Sequence, residues 1–247
     1  MKSSILLTIF ALMITSYRVK KDIQVLKQDP QGFAVVELFT SEGCPACPPA
    51  DSAVLEMSKQ YKSNVFFLGF HVDYWDQYGW KDKYSDKSYS RRQEDYGSLL
   101  RLKQIYNPQI IVNGKTELLG SDKEKLQSVI NQELGNSGAI KLELNAKVSD
   151  SKTVITTCTG NFVSGDVLNV AIVQMNQETD VTKGDNAGKH FLHLNIVRGF
   201  KTVKASANPV SMVLPDGVAL KDCKVIAFLQ KKSSGLIVGA ASVDLAN

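Results

Sequence analysis

The first half of the chain alternates continuous apolar runs with stretches of helical periodicity. Uninterrupted apolar runs are typical of strands that are buried on both faces of a parallel sheet. Residues 74–87 interrupt this pattern and are predicted to form an inserted loop, because they are rich in aromatic, Asp, Lys and Gly residues. The predicted elements are a strand at 33–40, a helix at 49–61, a strand at 65–72, a helix at 88–103, strands at 109–112 and 116–119, and a helix that ends at 135.

Local signals support the starts of the three helices. Pro49 suits a first helical turn, where a missing N–H costs little. Ser88 or Ser90 is a candidate N-cap for the second helix. Ser121, with Glu124 three residues later, is predicted to form a capping box for the third.

From residue 139 onward the pattern changes to short runs of alternating apolar and polar residues. Turn residues separate the runs, and no long helical period is visible. This spacing is typical of an antiparallel β-sandwich. The predicted strands are 141–148, 153–159, 167–175, 191–200, 210–214, 223–230 and 236–245.

The N-terminus has the layout of a secretory signal. In residues 1–16, Lys2 precedes an apolar run that is too short to span a bilayer, which takes about 20 residues. Residues 17–31 are polar and are predicted to form a loose leader. We therefore expect an exported protein, periplasmic or secreted, with no membrane span in the mature chain. The cleavage site is poor, so an uncleaved anchor remains an alternative.

Composition and charge restrict the partners. Hydrophobic residues make up 43% of the 247 positions, which is enough for an ordinary core. The formal net charge of +4 is too small to indicate nucleic acid or an anionic membrane as a partner. No cofactor and no metal site are expected.

The candidate chemistry lies in Cys44-Pro45-Ala46-Cys47, between the first predicted strand and the first helix. The N–H groups and the dipole at a helix N-terminus stabilise a thiolate, which is the form that attacks disulfides. A zinc site would need further ligands nearby, and a purely structural disulfide is the remaining alternative. The position of the motif favours a thioredoxin-like dithiol site.

The order of elements around the motif resembles that of thioredoxin-like proteins. That resemblance implies a cis Asn107–Pro108 bond packed against the sulfurs, with Pro108 shaping a substrate groove. It also implies a buried carboxylate before the motif, and Glu37 is the candidate proton relay. The expected fold class is therefore an α/β thioredoxin-like domain at 32–136, followed by an all-β, immunoglobulin-like sandwich at 139–247.

Several side chains are expected to line the rim of the site. In open α/β sheets, ligand sites lie at the carboxyl ends of strands, and the second predicted strand ends beside the inserted loop. One of these residues, His71, either tunes a sulfur or is a satisfied core histidine. The candidate rim residues are Pro45, His71, Asp73, Trp75, Trp80 and Asn107.

The second half holds two further cysteines and two histidines. Cys158 and Cys223 lie on apolar faces of predicted strands, and they form either a structural disulfide or two buried thiols. His190 and His193 are three positions apart on a strand, so they face opposite ways and are not expected to share a metal. The glycine-flanked loop 184–188 is interpreted as a structural turn.

Several long segments together resemble one family, the secreted thioredoxin-like proteins grouped as domain of unknown function 1223. The resemblance implies the fold and export, but it supplies no substrate. The segments that carry it are Val36 to Asp51, Phe70 to Asp76, Gly79 to Asp82, Tyr106 to Gln109, Val112 to Gly114, Gly184 to Gly188, His193, and Val197-Arg198.

The sequence therefore favours an exported thiol–disulfide oxidoreductase that acts on protein thiols or disulfides in an oxidising compartment. Cys44, expected to be partly exposed, would be the nucleophile, and the buried Cys47 would resolve the mixed disulfide. Two alternatives remain: a copper- or haem-handling module that uses the same cysteines, and a structural or adhesion protein with a permanent Cys44–Cys47 disulfide.

Overall fold

The computed structural model describes residues 32–61, 63–149, 152–206 and 208–245. The predicted signal at 1–16 and leader at 17–31 lie outside these residues. Three helices are present in the described part: α1 (Pro48–Gln60), α2 (Lys87–Leu99) and α3 (Lys123–Leu134). The strands are β1 (Ala34–Thr40), β2 (Val65–His71), β3 (Gln109–Val112), β4 (Thr116–Leu119), β5 (Glu143–Val148), β6 (Thr153–Thr159), β7 (Asp166–Gln174), β8 (Gln177–Asp180), β9 (His190–His193), β10 (Ile196–Lys204), β11 (Val210–Val213), β12 (Cys223–Lys231) and β13 (Ile237–Asp244).

The strands of both halves of the chain join into one sheet. Its eight strands run in the order β13-β12-β7-β10-β2-β1-β3-β4, with β10 parallel to β2. The expected fold class, two separate domains with a thioredoxin-like first half, is therefore wrong. An alternating pattern predicts a strand but not the strand with which it pairs. Here β10 pairs with β2 of the first half, and so it does not belong to a separate sandwich.

One face of this sheet is covered by α2. The apolar cluster beneath the helix includes Phe39 and Phe70 from the first half and Ala171, Val197 and Phe228 from the second. Apolar side chains of the two halves therefore bury one another in a single core cluster.

The other face is covered in two places. Over the first half, α1 and α3 pack on alternate residues of β1, namely Ala34, Val36 and Leu38. Over the second half, a three-stranded sheet in the order β11-β6-β5 packs on β7 and β12. A sandwich is thus present, but one of its two layers is the common sheet.

Several boundaries differ from those predicted. The N-cap of α2 is Asp86, whose carboxylate accepts from the N–H of Ser88, and α3 is capped by Asp122 instead of Ser121. The single strand predicted at 191–200 is divided into β9 and β10. Asn195 lies between them, and its φ of 49° is in the left-handed region, outside the backbone region of regular strands.

No helix among the described residues is long and apolar enough to cross a membrane.

Candidate functional site

The Cys-Pro-Ala-Cys turn connects the end of β1 to the start of α1. Cys47 is the N-cap residue of α1, and its carbonyl accepts from the N–H groups of Ala50 and Asp51. A disulfide joins Cys44 to Cys47 with their Cα atoms 5.4 Å apart. Both cysteines are 0% exposed, so the expectation that Cys44 is partly exposed is wrong. Only Pro45 and Ala46, between them, reach the surface of the turn.

The Asn107–Pro108 bond is cis, as the resemblance implied. Pro108 is buried, and Gly120 shows where it lies: a Cβ at Gly120 would come within 2.9 Å of Pro108 Cβ and 3.0 Å of Ala50 Cβ. Pro108 is therefore close to the first turn of α1, just beyond Cys47. Among the described residues, the buried Nδ2 of Asn107 has no hydrogen-bond partner.

Beside the turn lies a buried triad of ionisable side chains. His193 on β9 contacts Asp51 on α1 through Nδ1, at 3.0 Å, and Glu42 before α1 through Nε2, at 3.2 Å. Burial alone would lower the pKa of His193, but its hydrogen bonds to Asp51 and Glu42 and their charges outweigh burial and raise that pKa to about 9. The imidazole is therefore protonated at neutral pH and balances the carboxylates on either side.

A second buried pair adjoins this triad. His71 Nδ1 lies 2.6 Å from Asp82 Oδ2, and the same oxygen accepts from the N–H of Glu42 at 2.9 Å. Burial would raise the pKa of Asp82, but the charge and hydrogen bond of His71 hold it below its usual range. The ring centres of His71 and His193 are 4.8 Å apart, so the triad and the pair form one cluster. His71 is thus a satisfied buried histidine that also belongs to the site.

The inserted loop between β2 and α2 contacts the two residues that precede Cys44. The Nε1 of Trp80 donates to Glu42 Oε2 at 2.8 Å, and the backbone of Trp75 lies against Gly43. The carboxylate of Asp73 accepts a hydrogen bond from the Ser90 hydroxyl on α2. Among the described residues, the buried Trp75 Nε1 has no hydrogen-bond partner.

Loop 181–189, which joins β8 to β9, also reaches the turn. The Nδ2 of Asn186 donates to the carbonyls of Glu42 and Cys44, each at 2.8 Å. Gly184 allows this approach: its φ is +72°, and a Cβ there would lie 3.1 Å from the carbonyl of Tyr78. The loop is a turn, as interpreted from the sequence, and it also contacts the backbone of the CxxC turn.

Asn186 and His193 were therefore missed as site residues. Both lie more than 130 positions from the motif in sequence, and neither position has a periodicity that indicates a ligand. The available signal was that both belong to segments that resemble the family. His190 is exposed and pairs with Asp180, which confirms that the two histidines face opposite ways.

Glu37 does not lie at the site. On β1 it alternates with the residues that face α1, so its side chain points to the opposite face of the sheet, under α2. There Arg92 binds it through Nε at 2.6 Å and Nη2 at 3.0 Å, and Tyr96 donates to it from its hydroxyl. The proposed proton relay is therefore wrong, because the sheet separates Glu37 from the CxxC turn.

Cys158 and Cys223 are free, buried thiols, so the candidate structural disulfide between them is not formed. Both pack in the apolar cluster between the three-stranded sheet and the common sheet. Burial raises the pKa of each thiol to about 11, which makes both inert at neutral pH. Within the described residues, no group of three or more His, Cys, Asp or Glu side chains is arranged to hold a metal ion.

Comparisons with known proteins find a solved structure and a family model that match most of this chain. A crystal structure of a protein from Agrobacterium tumefaciens superposes with a TM-score of 0.63 and is 31% identical in sequence. The match covers 87% of this chain and 94% of the other. A comparison with curated proteins finds no match. A family model described as a protein of unknown function, DUF1223, matches residues 35–230, and the chain therefore belongs to the DUF1223 family.

Proposed function

We propose that this protein is a thiol–disulfide oxidoreductase that uses Cys44 and Cys47. The observation that carries the proposal is the ionisable cluster packed around the CxxC turn. Glu42, Asp51, His71, Asp82 and His193 are all at least 94% buried, and their hydrogen bonds link the residues on either side of one disulfide at a helix N-terminus. The pKa values of two of them, Asp82 and His193, are shifted, and such buried groups are concentrated at functional sites.

A structural role for the disulfide does not call for this arrangement. In the chain-entropy model, a disulfide stabilises a protein more when it closes a longer loop, and this one joins residues only three positions apart. A cluster of buried ionisable groups is not needed to hold such a bond, which favours a chemical role.

The exchange proceeds through a mixed disulfide. A substrate thiolate attacks Cys44 Sγ, the Cys44–Cys47 bond breaks, and Cys47 leaves as a thiolate at the N-terminus of α1. A second substrate thiolate then attacks the substrate sulfur of the mixed disulfide and releases Cys44 as a thiolate. The substrate pair is oxidised by two electrons and the Cys44–Cys47 pair is reduced by two. In the opposite direction, Cys44 is the attacking thiolate.

The substrates in this proposal are protein thiols or disulfides in an oxidising compartment, with the chain exported by its N-terminal segment. Both assignments rest on the sequence. Pro108 and the Trp75–Trp80 insert, which border the turn, would form the walls of the substrate groove.

A second candidate function is a permanently closed structural disulfide, which is favoured by the complete burial of both cysteines. The reduction potential distinguishes the two. Structural disulfides typically have potentials below about −300 mV, whereas exchanging pairs lie higher.

The test combines that potential with a trap. A Cys47→Ser variant cannot resolve a mixed disulfide, so it should retain substrate proteins on Cys44 in the native compartment. A matched Cys158→Ser variant, which alters a buried thiol remote from the turn, should retain none. A potential below about −300 mV, together with an empty trap, would assign the bond a structural role.

A further inference from the structure

Two residues of the second half hold the CxxC turn from both sides. Asn186 donates to the carbonyl of Cys44 itself and to that of Glu42, two positions earlier. His193 bridges Glu42, before the turn, and Asp51, after it. All four side chains are at least 94% buried, so these bonds are shielded from competing water.

We propose that Asn186 and His193 are positioning residues that keep the Cys44–Cys47 turn closed and thereby set the rate at which the disulfide exchanges with an external thiol. The proposal rests on the proposed function and adds that residues of the second half of the chain control the rate of disulfide exchange. A thiolate must approach along the S–S axis, and with both cysteines fully buried the turn has to open first. Opening breaks the hydrogen bonds that these two residues make.

The charges around His193 agree with such a role. Asp51 faces it from α1, Glu42 from the turn, and His71 from β2 at 4.8 Å between ring centres. Tyr84 of the insert lies 5.8 Å away, edge-on. The next charged groups are Asp82, which pairs with His71, and Lys189, whose Nζ donates to Asn186 Oδ1 at 2.7 Å. A protonated His193 therefore attracts the carboxylates on both sides of the turn at once.

The experiment uses the oxidised full chain and excess dithiothreitol. Reduction of Cys44–Cys47 is followed by quenched alkylation and mass spectrometry. We expect Asn186→Ala to react about tenfold faster than the wild type, because two buried hydrogen bonds no longer oppose opening. Asn186→Asp keeps the volume but loses the donor and should also react faster. His193→Gln should react faster, whereas His190→Gln, on the exposed face of the same strand, should react at the wild-type rate.

A pH profile tests the part that the charge of His193 plays in keeping the turn closed. After correction for ionisation of dithiothreitol, the wild-type rate should rise further as pH passes about 9, where His193 loses its proton. His193→Gln should lack this rise, while His190→Gln should keep it.

Wild-type rates for both Asn186 variants would overturn the proposal, and a wild-type profile for His193→Gln would remove His193 from it. These rates do not depend on a cellular partner, so an empty Cys47→Ser trap together with the low potential of a structural disulfide would overturn the proposed function while leaving them intact. A bond that resists dithiothreitol in all of these folded proteins would overturn both.

Discussion

The backbone N–H of Gly69 donates to the carbonyl of Asn195 at 3.0 Å, and at this point the two halves of the chain become one sheet. Asn195 also donates from Nδ2 to the carbonyl of Phe67 at 3.0 Å. A Cβ at Gly69 would lie 3.3 Å from the carbonyl of Leu194, so a glycine on β2 permits the approach of the segment that leads into β10. The same approach places β9, with His193, beside α1.

Substituting Gly69 should therefore destabilise the whole molecule. We expect Gly69→Val to lower the free energy of unfolding by about 2 kcal/mol, because the carbonyl of Leu194, 3.3 Å from the new Cβ, would have to move. Gly135→Ala is the control, since its nearest neighbours would be 3.5 Å from the new Cβ. Urea denaturation followed by fluorescence and circular dichroism should give one coincident transition. Two separate transitions, with only one shifted by the substitution, would show that the halves unfold independently.

His193 predicts a loss of stability at alkaline pH. Its pKa in the folded protein is raised to about 9, above the usual value of about 6.5. The ion pairs with Asp51 and Glu42 thus contribute fully below about pH 6.5, and their contribution is lost as pH rises through about 9. The melting temperature of the wild type should fall more between pH 7 and pH 10 than that of His193→Gln. His190→Gln should follow the wild type, and equal losses in all three proteins would contradict the assignment.

Arg92 should be needed to keep Glu37 buried. The guanidinium is surrounded by the rings of Phe70, Tyr96, Phe200 and Phe228, and nearby Glu37 raises its pKa despite burial. Arg92→Met should cost about 3 kcal/mol or more, because it leaves a buried carboxylate without a counter-charge. Adding Glu37→Gln should recover part of that loss in a chemical denaturation experiment.

The same residue tests the corrected position of Glu37. Glu37→Gln alone should leave the reduction potential of Cys44–Cys47 unchanged, because the sheet lies between them. A changed potential in a fully folded variant would restore Glu37 to the site.

The single disulfide between Cys44 and Cys47 predicts how many free thiols the protein contains. Protein denatured without a reductant should contain two free thiols, which peptide mapping should assign to Cys158 and Cys223. Native protein should show neither at neutral pH, since both thiols are buried and their pKa is raised to about 11. Finding no free thiols after denaturation would mean that these two cysteines are joined.

Much of the first half could be predicted from local sequence. The apolar run of β1, the two prolines that open α1 and the cysteines between them are contiguous, so strand and helix periodicities place the motif at a helix N-terminus without tertiary information. The cis bond before Pro108 followed only from the resemblance to thioredoxin-like proteins. The predicted cap of α3 was one residue away, and the two candidates for α2 were two and four residues away, because Asp and Ser are both favoured at this position.

The tertiary structure alone decided what surrounds the motif. Alternation along β1 shows that Glu37 and Leu38 face opposite ways, but not which face α1 covers. Alternation along the later strands predicts that they are strands but not how they pair. The pairing of β10 with β2 could therefore not be predicted from the sequence. That long-range pairing brings Asn186 and His193 close to the CxxC turn. Contacts between such distant segments depend on the packing of the whole sheet, and they produce no local periodicity in the sequence.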